Sequence, residues 1–71
     1  MTISRPSQLT ERQRQIMRLT LLGCDRKKIA ATIGTTIDNV DTMRHTIVRI
    51  MEAPDFAAAV EMFRILDGHD R

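Results

Sequence analysis

Three polar residues, Thr42, His45 and Arg49, stand three or four positions apart in the chain. In a helix this spacing puts them on one face, where a hydroxyl, an imidazole and a guanidinium could bind base edges and phosphates of DNA. Two lysines, Lys27 and Lys28, come earlier in the sequence and would supply ammonium groups for phosphates. The same pattern is also typical of a solvated helix face, so the surrounding elements decide the interpretation.

The first of these elements is a predicted helix over about 11–22. Thr10 and Gln13 stand at capping-box spacing, so each side chain can bind the other residue's amide. Gly23 is expected to end this helix, because glycine adopts the left-handed conformation of a helix terminus at little cost. The sequence therefore predicts a bounded first helix with a defined start and end.

The middle of the chain predicts two more helices joined by a tight turn. Asp25 is a suitable N-cap for a helix at 26–33, and Gly34 is expected to end it. Thr36 then caps a helix at 37–51. Two helices separated by such a turn are typical of a helix-turn-helix, whose second helix lies in the major groove of DNA. The apolar positions of that helix are Val40, Met43, Ile47, Ile50 and Met51.

A fourth helix is predicted at about 55–67, after Pro54 prevents continuation of the third. Residues 1–8 are expected to form a flexible arm, and residues 69–71 a polar tail. The domain itself would occupy residues 9–68, and its fold class would be all-α with four helices.

Size and composition exclude several functions. A chain of 71 residues supports one domain with a modest core and leaves no room for a deep substrate cleft. Its sequence has no Gly-rich phosphate loop and no catalytic constellation, so we expect no enzyme activity and no cofactor. No second His or Cys stands at ligand spacing from His45, so we expect no metal site. The single Cys24 and the lack of a signal core or an apolar span predict a cytoplasmic protein without a membrane segment.

Charge is unevenly distributed along the chain. Residues 1–51 contain nine Lys or Arg and four acids, a balance of +5, whereas residues 52–71 contain two Arg and five acids, a balance of −3. The basic part is the part predicted to form the helix-turn-helix, as a phosphate-binding surface requires. Ordinary solvated surfaces would also account for this distribution.

The order and spacing of these residues resemble the DNA-binding domain of the LuxR/GerE family of bacterial transcription regulators. The matching positions cover most of the chain and extend into the fourth helix. A second resemblance, to the C-terminal promoter-recognition region of sigma factors, covers the first three helices only. The positions that carry the LuxR/GerE resemblance are Leu9, Thr10, Arg12, Arg14, Ile16, Gly23, Lys27, Ile29, Ala30, Ile33, Thr36, Val40, Ile47, Met51, Ala59 and Val60.

The resemblance implies a stand-alone, GerE-like transcription regulator with a four-helix LuxR/GerE-type fold. Its third helix would bind double-stranded DNA in the major groove, and its fourth helix would form a homodimer. The dimer interface is assigned to Ala57, Val60 and Phe63. The DNA contacts are assigned to Lys27, Lys28, Thr36, Asp41, Thr42, His45 and Arg49.

Several residues depart from the family pattern. Asp41 replaces a usual basic residue, Met43 a frequent His, Asn39 a common Thr, and Thr35 a usual aliphatic residue. A carboxylate at position 41 repels phosphates, although it can accept a hydrogen bond from cytosine N4. Together with Asp38 it suggests an alternative function. In that alternative the chain is a protein-interaction module of the same fold that antagonises a larger LuxR-type regulator, by mixed dimerisation through the fourth helix.

Overall fold

The structure, a computed structural model, describes residues 9–69, which form four helices and no strand. In chain order these are α1 (Glu11–Leu21), α2 (Arg26–Ile33), α3 (Ile37–Met51) and α4 (Phe56–His69). The bounds of α2 and α3 are those expected, whereas α1 ends one residue earlier. The start of α4 is one residue later than expected, and its end lies within the predicted tail. The predicted arm, residues 1–8, lies outside the described residues.

Each of the first three helices begins at a side-chain cap. Thr10 Oγ1 accepts from the Gln13 amide at 3.1 Å, and Gln13 Oε1 accepts from the Thr10 amide at 2.9 Å, which confirms the capping box. Asp25 and Thr36 each accept from the amide three residues further on, at 2.8 and 3.1 Å. Since one such cap contributes about 1 kcal/mol, local chemistry fixes where the helices start.

Left-handed residues end the same three helices. Gly23 has a φ of 93° and Gly34 a φ of 76°. After Gly34, the amide of Thr35 donates to the carbonyl of Ala30 at 2.8 Å, which closes the end of α2. The turn from α2 to α3 is therefore only three residues long. The third left-handed residue, Glu52, has a φ of 55° and lacks the freedom of glycine.

The core lies between all four helices, and α1 and α3 each contact the other three. Arg12 ties α1 to the end of α2, since its Nη1 donates to the Ile33 carbonyl at 3.2 Å. Among the described residues, no polar or charged side chain is buried, so the interior is held by apolar packing. The buried residues are Leu9, Ile16, Met17, Ile29, Ala30, Val40, Ile47, Met51, Ala59 and Phe63.

Candidate nucleic-acid interface

The surface of α3 that faces away from the core is polar. Asp38, Thr42, His45 and Arg49 are all exposed and follow one another at four-, three- and four-residue spacing. We call these four residues the α3 stripe. The structure thus brings Thr42, His45 and Arg49 onto one accessible face. The opposite side of the same helix provides the buried side chains Val40, Ile47 and Met51.

The backbone of α3 orients two side chains of the stripe. Thr42 Oγ1 donates to the Asp38 carbonyl at 3.1 Å, and His45 Nδ1 lies 3.0 Å from the Asp41 carbonyl oxygen. Because a carbonyl oxygen only accepts, the second contact places a proton on Nδ1 and leaves Nε2 as an acceptor in the neutral ring. The Thr42 oxygen also keeps the capacity to accept. Both groups can therefore receive hydrogen bonds from base amino groups.

Asp41 lies beside the stripe and contacts α2. Its Oδ2 is 2.6 Å from Nη1 of Arg26, the first residue of α2. The two side chains retain 36% and 52% of their exposure, so this ion pair lies at the surface. From the sequence alone, Asp41 was described as a charge that repels phosphates and could accept from cytosine N4, and Arg26 was not identified as its partner. In the structure each charge is compensated by the other.

The start of α2 is the basic part of this surface. Lys27 and Lys28 are both exposed in its first turn, and the amide of Lys28 is satisfied by the Asp25 cap. Unpaired amides at a helix N-terminus and two ammonium groups together attract anions. Thr36 is exposed at the start of α3, and its oxygen accepts from the Asn39 amide, so its hydroxyl proton can donate to a phosphate.

Two of the departures from the family pattern contact each other. Asn39 Nδ2 donates to Thr35 Oγ1 at 2.7 Å, between the first turn of α3 and the residue that follows Gly34. An aliphatic residue at position 35 would leave this amide without that acceptor. Thr35 and Asn39 therefore form a hydrogen-bonded pair that links the turn after α2 to the first turn of α3.

Arg44 is directed away from the α3 stripe. Its guanidinium carbon lies 4.1 Å from the centre of the Phe56 ring, a cation–π contact between α3 and the start of α4. An open groove of about 360 Å³ lies beside this contact. His45 belongs to both surfaces, because it lines the groove and forms part of the stripe. The groove is lined by Asp41, Arg44, His45, Val48, Pro54, Asp55 and Phe56.

The three residues assigned to a dimer interface differ in exposure. Ala57 is exposed and Val60 is half-buried, but Phe63 is 0% exposed and packs in the core of its own chain. The expectation that Phe63 contacts a partner is therefore corrected. Sequence reasoning also missed Ile65 and Leu66, which are 55% and 40% exposed. Apolar residues occur on several sides of α4, so their spacing alone does not distinguish its inner from its outer side.

The outer side of α4 also carries an ion pair. Arg64 Nε lies 3.2 Å from Glu61 Oε1, and a second contact joins Arg64 Nη2 to Glu61 Oε2. The hydrogen bonds from Arg64 hold the pKa of Glu61 below its ordinary value. Both charges are thus compensated within one helix turn, and the pair adds no net charge to the apolar positions around it.

The short turn between α2 and α3 and the exposed face of α3 define a helix-turn-helix domain. Residues 7–63 match the model of the GerE family, described as bacterial regulatory proteins of the luxR family. The match covers most of the 71 residues, and the chain belongs to this family of regulators, which are not enzymes. No curated protein and no solved structure matches the chain.

Within residues 9–69, no three His, Cys, Asp or Glu side chains are grouped so that they could hold a metal ion. None of the helices in that range is both long and apolar enough to cross a lipid bilayer.

Proposed function

We propose that this chain regulates transcription in the bacterial cytoplasm by binding double-stranded DNA as a homodimer, with α3 in the major groove. The observation that carries the proposal is the division of α3 into an exposed polar stripe and a buried apolar side. The major groove is about 12 Å wide and admits one helix. A helix that is held by the core on one side and polar on the other is suited to enter it.

The stripe would read bases through Thr42 and His45. Their backbone hydrogen bonds fix both side chains before DNA arrives, which reduces the entropy lost on binding. Arg49 lies one turn further along, where a guanidinium can bind either a guanine edge or a phosphate. These three residues are the proposed base-proximal contacts.

Phosphate contacts would come from the start of α2 and from the turn. Lys27 and Lys28 extend from the first turn of α2, and Thr36 adds a hydroxyl donor at the start of α3. Such contacts position the protein on the duplex without reading sequence.

The homodimer would form through the outer side of α4. Ala57 lies four residues before Glu61 and Ile65 four residues after it, which places both on the same side of α4 as Glu61. Val60, the residue before Glu61, is half-buried. A helix of 14 residues is about 21 Å long, so a single helix pair buries less than the roughly 800 Å² per partner of a standard interface. The dimer would therefore be weak in solution and stabilised by binding two half-sites on DNA.

The test is a fluorescence-anisotropy salt titration of the purified protein on mixed genomic DNA fragments. Three cations, Lys27, Lys28 and Arg49, each contribute about −0.9 to the slope of log K against log salt, or about −2.7 per chain. A dimer doubles this value. A steep slope supports the proposal, whereas no binding at low salt by the folded protein would refute it.

The alternative, an interaction module that antagonises a larger LuxR-type regulator, is favoured by one observation. Asp38 is exposed within the α3 stripe, where a carboxylate suits a basic protein surface better than DNA. Asp41, the second acid on which this alternative was based, does not support it in the same way, because its charge is compensated by Arg26. Mixed dimers with a LuxR-type regulator, measured by energy transfer between labelled chains, together with absent DNA binding, would support this alternative.

A further inference from the structure

We propose that Asp41 reads a cytosine in the major groove and that Arg26 is the positioning residue that makes this possible. This inference rests on the proposed DNA-binding function. By its residue type, Asp41 has two opposed properties, repulsion of phosphates and the capacity to accept a hydrogen bond from cytosine, and the ion pair with Arg26 favours the second; Arg26 is thereby assigned to that carboxylate rather than to a phosphate.

The ion pair occupies one oxygen of the Asp41 carboxylate and leaves the other able to accept a hydrogen bond. Arg26 Nη1 contacts Oδ2 of Asp41 at 2.6 Å, whereas Oδ1 accepts no hydrogen bond from the part of the chain that the structure describes. The Asp41 side chain keeps 36% of its exposure. One oxygen is therefore fixed to α2, and the other can accept from an amino group such as cytosine N4.

Pairing also removes the electrostatic objection. A lone carboxylate beside the phosphates would be repelled, but a carboxylate bonded to a guanidinium forms a pair with no net charge. The hydrogen bond to a charged donor also restricts the orientation of the carboxylate. Arg26 thus converts Asp41 from a repulsive charge into an oriented acceptor.

The position of Asp41 in α3 suits base contact. It is in the first half of the helix, and in helix-turn-helix proteins the N-terminal residues of the recognition helix contact base edges. It directly precedes Thr42, and its carbonyl binds His45 Nδ1 at 3.0 Å. Asp41 therefore adjoins both proposed base contacts along α3, and with His45 it lines the same groove.

The pair is suited to a mutational test because it adds little to the stability of the fold. Both side chains are more than one-third exposed, and ion pairs in such positions are strongly screened by solvent. Variants of Arg26 and Asp41 are therefore expected to fold, which circular dichroism checks.

The experiment selects binding sites from random DNA with the wild-type protein and with Asp41→Asn, Arg26→Gln and Arg26→Lys. Anisotropy then measures each protein on the selected site and on the same site with the cytosine replaced. We expect the wild type to prefer cytosine at one position of each half-site by about tenfold. Asp41→Asn and Arg26→Gln should both lose that preference, and the double variant should lose no more than either. Arg26→Lys, which keeps the positive charge, should retain part of the preference.

Lys27→Gln is the matched control, because it removes a neighbouring charge of α2 and should weaken all sites without changing the cytosine preference. The inference is overturned if Arg26→Gln weakens binding equally on every sequence, since Arg26 would then be a phosphate contact. It is also overturned if Asp41→Asn leaves the preference intact. If the wild type binds no DNA at low salt, the proposed function itself fails, and this inference fails with it. The two outcomes above overturn only the inference, because in both of them the wild type binds DNA.

Discussion

The assignment of Phe63 to the core and of Ile65 to the surface can be tested on a single helix. Phe63 is 0% exposed and Ile65 is 55% exposed, although they are only two residues apart in α4. Replacing Phe63 by Leu should destabilise the folded chain itself. Replacing Ile65 by Ala should leave the fold intact and weaken only the proposed dimer.

The magnitudes follow from burial. Replacing a fully buried Phe by Ala costs about 3–5 kcal/mol, and a replacement by Leu, which keeps most of the apolar volume, costs about 1–2 kcal/mol. A chain of 71 residues has a total stability of roughly 4–11 kcal/mol. Phe63→Ala would therefore bring the domain close to unfolding, and Phe63→Leu is the more useful variant. Ile65→Ala should change the stability by less than about 0.5 kcal/mol.

Urea unfolding, followed by circular dichroism at two protein concentrations, separates the two roles. With an m-value of about 1 kcal/mol/M, Phe63→Leu should lower the midpoint by roughly 1–2 M at both concentrations. Sedimentation should show that Ile65→Ala shifts the monomer–dimer equilibrium toward monomer, while Leu22→Ala, an equally apolar but 79% exposed control on α1's C-cap, does not. If Phe63→Leu left the dilute midpoint unchanged and instead weakened the dimer, the packing of α4 described above would be wrong.

Three further predictions concern the turn and the DNA-facing surface. Gly34→Ala should lower the free energy of unfolding, measured in urea, by about 1 kcal/mol. An added Cβ would meet nothing within 4 Å, so the cost comes only from the backbone strain of a φ of 76°. An unchanged urea midpoint would mean that the turn adopts another backbone conformation in the variant. Lys27→Gln should weaken binding similarly on all sequences and reduce the salt slope by about 1 per chain, or about 2 for the dimer, whereas Arg18→Gln on α1 should leave the slope unchanged. Thr42→Ala should change the preference at one base-pair position, and an equal loss on every sequence would exclude Thr42 from base reading.

The helix starts could be predicted from the sequence because caps are local. Thr10, Asp25 and Thr36 each bind an amide three residues away, so the residue type and its spacing already contain the interaction. Gly34 acts in the same way at the end of α2, through its own backbone conformation. Interactions within one turn of chain depend little on how the helices are packed.

The sequence could not predict interactions that depend on packing between helices. Arg26 and Asp41 are 15 residues apart in sequence, and only the arrangement of α2 against α3 brings them together. Phe63 was misassigned because α4 is apolar on several sides, so a small rotation about its axis decides which side chain is buried. Both cases concern the rotation or placement of a whole helix, which periodicity alone does not determine.

The division of α3 into a buried side and an exposed stripe also affects how this domain can evolve. Val40, Ile47 and Met51 hold the helix in place, and none of them belongs to the surface proposed to meet DNA. Substitutions at exposed positions usually change stability by less than about 0.5 kcal/mol. Residues such as Thr42 and His45 can therefore be exchanged while the fold persists. A lineage of such domains could acquire new operator preferences one residue at a time, without passing through an unfolded intermediate sequence.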